Sequence, residues 1–339
     1  MTVTLKLGIA GLGRLGKRHA EQLARRTPGA QLVAACSPVA SELDWARDSL
    51  GVTTLHADFE AFVSDPALDA VVLVTPTTLH AKQTIAALEA GRHVFVEKPL
   101  SLDLVDCERV QAVAARHPDR VAMVGFVRRF DPSYQQAKAD LDAGAIGKPF
   151  LVRSQCCDKY DPSGFFVQFA PSSGGIFMDC SVHDIDVARW MLGGPKATRV
   201  FASGMIAMYP ALAEVGDIDN GLAIIEFEGG ARAMLYASRT HALGQESSSE
   251  VIGTAGKLLI GAGAARDRVQ IGDQHGVRQL AVDDFYPRFA DAFRLELQAF
   301  VDACRGGPAL PLTLADAAEA TRIGQAITRS LKSGLPEAV

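Results

Sequence analysis

Six cysteines among 339 residues, none of them in a C-x-x-C pair, are too few and too scattered for a disulfide framework or a zinc ribbon. The adjacent Cys156 and Cys157 have no histidine nearby at metal-ligand spacing, and Cys36, Cys107, Cys180 and Cys304 stand apart, so reduced thiols and no metal site are expected. Long apolar runs are missing as well; none approaches the roughly 20 residues that cross a bilayer. There is no basic surplus. With 34 Lys+Arg against 39 Asp+Glu, the net charge of −5 gives neither nucleic acid nor an anionic membrane a reason to bind. Residues 4–10 run as a strand straight into a glycine turn, so no signal peptide is expected ahead of them, and a soluble cytoplasmic protein is.

What is present fits two domains, since 339 residues exceed one small core and 48% hydrophobic with 22% charged residues is ordinary globular composition. Residues 1–125 alternate strand and helix. Apolar strands are expected at 5–10, 31–36, 69–75, 93–96 and 121–124, with helices from the glycine turn to about 26 and from Pro76 through 90. Near-continuous Val, Ile, Leu and Ala strands separated by helices predict a doubly wound parallel sheet of Rossmann type. Over 126–339 the pattern changes. A helix at 132–143 leads to a strand at 150–157, then a helix at 177–192 that stops at Gly193-Gly194-Pro195. Strands at 199–208, 221–227, 231–239, 249–253, 257–260 and 269–271 follow, with a hairpin at Glu228-Gly229-Gly230, and helices at 289–304 and about 315–331 close the chain. This predicts an α+β domain on a large open, mostly antiparallel sheet, with an outer face apolar enough to pair with a second subunit.

Gly11-x-Gly13-x-x-Gly16 begins right after a strand and opens a helix, the context a dinucleotide loop requires. Gly11 makes the tight turn, Gly13 lets backbone approach a pyrophosphate, and Gly16 packs helix on strand; Arg14 and Leu15 lie between them. The second strand ends Ala35-Cys36-Ser37-Pro38, without the acid that grips the ribose 2′-hydroxyl of NAD. No Lys or Arg lies between Val33 and Asp44 to hold a 2′-phosphate instead, although Arg14 or Arg47 could reach over. NAD is the expected cofactor, with NADP left open. Further on, Val94-Phe95-Val96-Glu97-Lys98-Pro99 delivers the amine of Lys98 to the carboxyl edge of the sheet, where such folds bind ligands. A dinucleotide loop with a lysine beside it points to hydride transfer.

Asp179-x-x-x-His183 places a carboxylate and an imidazole four residues apart, on one face of the expected 177–192 helix. The pair can be a satisfied polar contact or a catalytic one; as metal ligands, one His and one Asp are too few for a closed site. Taken with Thr75-Pro76-x-x-x-His80, Glu97-Lys98-Pro99, Gly125-Phe126-x-Arg128-Arg129-Phe130-Asp131, Gly174-Gly175-x-x-x-Asp179-x-x-x-His183-Asp184-x-Asp186, Glu250-Val251-x-Gly253-x-x-Gly256 and Glu296-x-x-x-Phe300, the chain resembles the glucose-fructose oxidoreductase/inositol dehydrogenase/MocA-type family along nearly its whole length. The resemblance implies an NAD(P)-dependent dehydrogenase of cyclic polyols or sugars (inositols, pyranoses or aminocyclitol-type rings). It implies Lys98, Asp179 and His183 as catalytic residues that also contact substrate, Arg128 and Asp158 on flanking hydroxyls, and Ser37, Thr75, Pro76, His80, Glu97 and Lys98 beside the cofactor. It also implies homodimers or homotetramers. A keto-sugar reductase using the same residues, or a non-catalytic nucleotide sensor, are the other readings. Two departures bear on the substrate and the loop: Thr77 stands where such proteins commonly have Asn, and Leu243-Gly244-Gln245-Glu246 replaces an aromatic Tyr-Gly-Tyr segment.

Overall fold

The computed structural model describes residues 4–261, 263 and 265–339. It divides into two units, one holding the residues up to Phe130 with Asp291–Glu319, the other Asp131–Ala290 with Ala320–Val339. The first unit thus runs past the expected boundary at 125/126 and also takes in residues from near the C-terminus. The reason is visible on the helix Phe285–Cys304: Phe293, Leu297 and Phe300 are buried, Phe300 packs edge-on against Phe95 with ring centroids 5.9 Å apart, and Phe293 meets His19 at 5.6 Å. Its apolar stripe completes the first core, which local periodicity does not reveal.

In the first unit the strands are β1 (Leu5–Ala10), β2 (Ala30–Cys36), β3 (Thr54–His56), β4 (Ala70–Leu73), β5 (His93–Glu97) and β6 (Ala122–Gly125). Helices α1 (Arg14–Arg25), α2 (Ala40–Leu50), α3 (Phe59–Val63), α4 (Thr77–Glu89) and α5 (Leu104–Arg116) connect them. All pairs are parallel, in the order β3-β2-β1-β4-β5-β6. Every residue of β4 is buried, as a strand covered on both faces requires. The order reverses between β1 and β4, and a crevice at the carboxyl ends of these strands is where ligands bind in such sheets.

The second unit contains α6 (Pro132–Asp142), β7 (Pro149–Lys159), α7 (Phe165–Ser173), α8 (Ile176–Asp179), α9 (Val182–Met191), β8 (Ala197–Met205), β9 (Asn220–Phe227) and β10 (Arg232–His241). After these come β11 (Glu246–Gly253), β12 (Gly256–Ile260) and the hairpin β13 (Ala265–Asp273) with β14 (Gly276–Ala281). Two long helices, α10 (Phe285–Cys304) and α11 (Leu314–Ser333), and a short strand β15 (Glu337–Ala338) end the chain; α10 and α11 are each divided between the units. The main sheet runs β12-β11-β7-β10-β9-β8-β15. It is antiparallel except where β7 lies parallel to β10. This is the mostly antiparallel sheet expected; β7, which precedes the hairpins in the chain, lies between β10 and β11. The β9–β10 hairpin turns at Gly229 and Gly230, both at positive φ, as expected.

Candidate active site

The glycine turn after β1 shows three different constraints. A Cβ on Gly11, which has φ +88°, would lie 2.3 Å from the Val74 carbonyl oxygen, and one on Gly16 would lie 2.1 Å from the Gly11 carbonyl oxygen. At Gly13 an added Cβ would meet nothing within 4 Å. Protein packing thus explains Gly11 and Gly16 but not Gly13, whose bareness suits a ligand approaching the backbone. Gly13 is also the N-cap of α1, with no side-chain cap and no acid in the first turn, so the helix start keeps its anion-attracting amides. Arg14 is exposed there and Leu15 half-buried. These residues fit the pyrophosphate of a dinucleotide.

Beside this turn, the Cys36 carbonyl accepts from the Gly11 N–H at 2.9 Å, which brings the end of β2 against the glycines. Burial pushes the Cys36 thiol up to about 12, with Asp58 adding to it, so it stays protonated and inert. Ser37 follows, 1% exposed. At the end of β4, Thr75 donates through Oγ1 to Gln83 Oε1 at 2.5 Å, and Pro76 is exposed. His80, expected beside the cofactor, lies in α4. Its ring is buried, with Nε2 2.8 Å from the Thr75 carbonyl oxygen and Nδ1 2.8 Å from that of Pro99. A neutral ring, with one N–H, donates to one of these carbonyls at a time, so His80 sits between the loop after β4 and the loop after β5. Burial lowers its pKa while the two carbonyls oppose that, and the net direction is down.

The Glu97 side chain is buried. Its Oε1 lies 2.7 Å from His19 Nε2 and its Oε2 accepts the Lys98 N–H at 3.2 Å. Glu296 of α10 completes a buried carboxyl–imidazole–carboxyl cluster whose ligating atoms all lie within 4.8 Å of one another. Neither Glu296 oxygen has a hydrogen-bond partner, and burial, then the Glu97 charge, pushes the Glu296 carboxyl well above its ordinary range. Through the Glu97 bond to the Lys98 N–H, this cluster reads as a brace under Lys98. Sequence reasoning placed Glu97 and Glu296 in separate motifs but missed their meeting, because the members lie 78 and more residues apart. Lys98 is half-buried just past β5, and Arg128, 2% exposed, lies in the turn Val127–Phe130 after β6.

In the second unit, the single helix expected over 177–192 is two. The Ser181 N–H reaches back five residues to the Ile176 carbonyl, and α9 restarts when the Ile185 N–H bonds to Ser181. The one-face argument for Asp179 and His183 therefore rested on a helix that is interrupted between them. Asp179 sits under Arg239 of β10, whose Nη2 is 3.4 Å from Asp179 Oδ2 and whose Nη1 is 2.8 Å from Asp217 Oδ2. Asp217 Oδ1 also accepts the Ile176 N–H at 3.0 Å, pinning the start of α8. Arg239 is fully buried; burial alone would weaken its charge, but the Asp179 and Asp217 carboxylates more than offset this and raise it. Sequence reasoning missed it, since a strand arginine carries no local signal.

Asp158, at the end of β7, accepts from the Cys180 thiol at 3.6 Å. Cys180 itself stays protonated, held up by its hydrogen bond with Cys156, by burial and by the Asp158 and Asp179 carboxylates. His183 is half-buried in the first turn of α9. The next residue, Asp184, is fully buried and accepts from Ser154 Oγ at 2.6 Å; Ser154 meets Ser249 at 2.7 Å, and Ser249 meets the Tyr134 hydroxyl at 3.0 Å. That chain fixes α9 on the sheet, and with it the backbone of His183.

An anion-ready helix start at a strand-order reversal, with a braced lysine one strand further on, defines a nicotinamide-dependent oxidoreductase. Residues 5–126 match the model of an oxidoreductase family with an NAD-binding Rossmann fold, and residues 134–259 match the GFO/IDH/MocA C-terminal domain. The chain belongs to the GFO/IDH/MocA family. It is 38% identical over 332 residues to the NAD(+)-dependent scyllo-inositol 2-dehydrogenase of Bacillus subtilis, covering 98% of this chain and 95% of that protein. It is 31% identical to the myo-inositol 2-dehydrogenase of Thermotoga maritima, covering 97% and 96%. The crystal structure of scyllo-inositol dehydrogenase from Lactobacillus casei with bound NAD(H) and scyllo-inositol superposes with a TM-score of 0.95 at 39% identity, covering 99% of each chain.

Proposed function

We propose that this enzyme oxidises a secondary ring hydroxyl of an inositol-type cyclic polyol to the ketone, with NAD as the hydride acceptor. The observation that carries the substrate class is the full-length likeness to a structure holding NAD(H) and scyllo-inositol. Gly11, Gly13, Arg14, Leu15 and Gly16 would hold the pyrophosphate, with Ser37, Thr75 and Pro76 along the same strand ends. NAD, when bound, would supply the acceptor for the hydride of the carbinol carbon. His183 accepts the hydroxyl proton, so that loss of C–H and O–H together leaves the carbonyl. Lys98 donates a hydrogen bond to the reacting oxygen and stabilises its developing negative charge. Asp179, fixed by Arg239, sets the electrostatics around His183, and Arg128 and Asp158 bind flanking hydroxyls.

The test is NAD reduction by the purified protein with scyllo-inositol, myo-inositol, pyranoses and an acyclic polyol of equal carbon number. Turnover with at least one inositol, well above that with the acyclic polyol, is the expected result. Turnover confined to acyclic polyols would sink the ring assignment.

For partners, we infer a homo-oligomer built on the outer face of the main sheet, where Phe201, Ile224 and Met234 are exposed in register across β8, β9 and β10. Among the described residues no helix is long and apolar enough to cross a membrane. All six cysteines are free thiols, which supports a reducing cytoplasmic location.

A further inference from the structure

We propose that Glu42 is the acid that selects NAD in this chain, reaching the adenosine ribose from helix α2 instead of from the end of β2. The proposal rests on the dinucleotide reading above and concerns which dinucleotide the site accepts. In Rossmann units the second strand ends in an Asp or Glu whose carboxylate takes the ribose 2′-hydroxyl and repels a 2′-phosphate. Here Ser37 occupies that end, so the selecting charge looks absent from the sequence.

The structure supplies one. Ser37 Oγ donates to Glu42 Oε2 at 2.5 Å, and the same Oγ accepts the Val39 N–H at 3.1 Å. Its backbone N–H is held by the His56 carbonyl at 3.1 Å. Ser37 has one hydroxyl proton, and Glu42 takes it. The buried serine is thus a clamp, leaving Glu42 as the group able to accept a further hydroxyl. Glu42 is half-buried in the first turn of α2, where its own N–H bonds the Val39 carbonyl at 3.0 Å. Its second carboxylate oxygen has no protein partner among the described residues. Because the Cys36 carbonyl bonds the Gly11 N–H, the clamp sits one residue from the glycine turn that fits the pyrophosphate.

Two nearby cations are engaged elsewhere: Arg47 is tied to Asp44 at 2.7 Å and Asp48 at 2.9 Å, and Lys17 lies over the Trp45 ring at 5.2 Å. A 2′-phosphate brought to this strand end would face the Glu42 carboxylate, whereas a 2′-hydroxyl would donate to it. The five-residue step from Ser37 to Glu42, one strand end plus the first turn of a helix, lets a long glutamate reach where a shorter aspartate on the strand usually sits.

Direct titration of NADH and of NADPH, by fluorescence or calorimetry, tests this without turnover. The native protein should bind NADH at least about tenfold more tightly than NADPH, a difference of about 1.4 kcal/mol. Glu42→Gln keeps the shape and removes the charge; it should weaken NADH, tighten NADPH, and cut the preference by about tenfold. Ser37→Ala should move both in the same direction by less. The double variant should change the preference no more than Glu42→Gln alone, since the two residues act as one unit. Glu42→Asp, which keeps the charge but shortens the reach, should fall between native and Gln. A folded Glu42→Gln whose preference stays within about twofold of native would overturn the proposal. So would a native protein that prefers NADPH, and in that case hydride transfer itself would stand. A native protein that binds neither dinucleotide would overturn this inference and the dinucleotide reading together.

Discussion

Lys98 is the residue whose neighbours are arranged for it rather than by it. Glu97 holds its backbone N–H and His19 holds Glu97, with Glu296 buried beside them. A lysine that only solvated a strand end would need no such brace. Lys98→Met should leave NADH affinity nearly unchanged and lower kcat by about 10²–10³, the scale of losing one donor to a developing oxyanion. The imidazole is read by pH. If neutral His183 takes the proton, oxidative kcat/KM rises through one ionisation as pH increases, and His183→Ala removes that limb. A limb that survives in His183→Ala and vanishes in Lys98→Met would exchange the two roles. Both residues were legible in the sequence because each sits in a short motif beside an element boundary. Arg239 and Glu42 were not. Arg239 meets Asp217 22 positions away, and Glu42 meets Ser37 across a strand end and a helix start whose geometry only folding creates.

At the level of elements, the parallel strands read well because each is a short apolar run flanked by turn residues. The three-residue β3 and the helices α2 and α5 went unread; α2 and α5 present mostly polar surface, burying Ala46 alone and Cys107, Val110 and Val113 respectively. The 177–192 segment misled in the opposite way. Its composition suits one helix, yet the ladder breaks where Asp217 and Arg239 draw α8 toward the sheet strands. Helix α10 carries the element-scale test. Its Glu296 is buried with no bond to either oxygen, and its pKa is raised by burial and then by Glu97, with His19 as the third titratable neighbour in the cluster. A raised carboxyl keeps its proton on folding while the unfolded chain loses it. The stability this group contributes is therefore full below the ordinary glutamate range and is lost as pH climbs toward the folded value. Glu296→Gln cannot ionise. Its melting temperature relative to the native protein should become more favourable from about pH 5 to pH 8. A difference independent of pH would mean that Glu296 is ionised in the fold.

For the whole molecule, the homo-oligomer proposed above rests on the outer face of the main sheet. Alternation along β9 is strict, with Gly221, Ala223, Ile225 and Phe227 buried, and Leu222 and Ile224 facing out at 54% and 43% exposure. Register then lines Ile224 up between Phe201 of β8, 40% exposed, and Met234 of β10, 47% exposed. The next outward row is charged, with Arg199 bonded to Glu226 at 2.8 Å and Arg232 at 3.7 Å from it. Such an apolar centre with a paired polar margin suits a surface that meets its own copy about a two-fold axis, because each patch presents the same row to the other. The pattern was legible as alternation, but which strands lie side by side was not, since β7 enters the sheet out of sequence order. Light scattering of the native protein should give a dimer or tetramer. Ile224→Glu combined with Met234→Glu buries like charges in that contact and should yield smaller species with unchanged circular dichroism. A native monomer at micromolar concentration would remove the assembly altogether. A doubly substituted protein of native size would move it to another face.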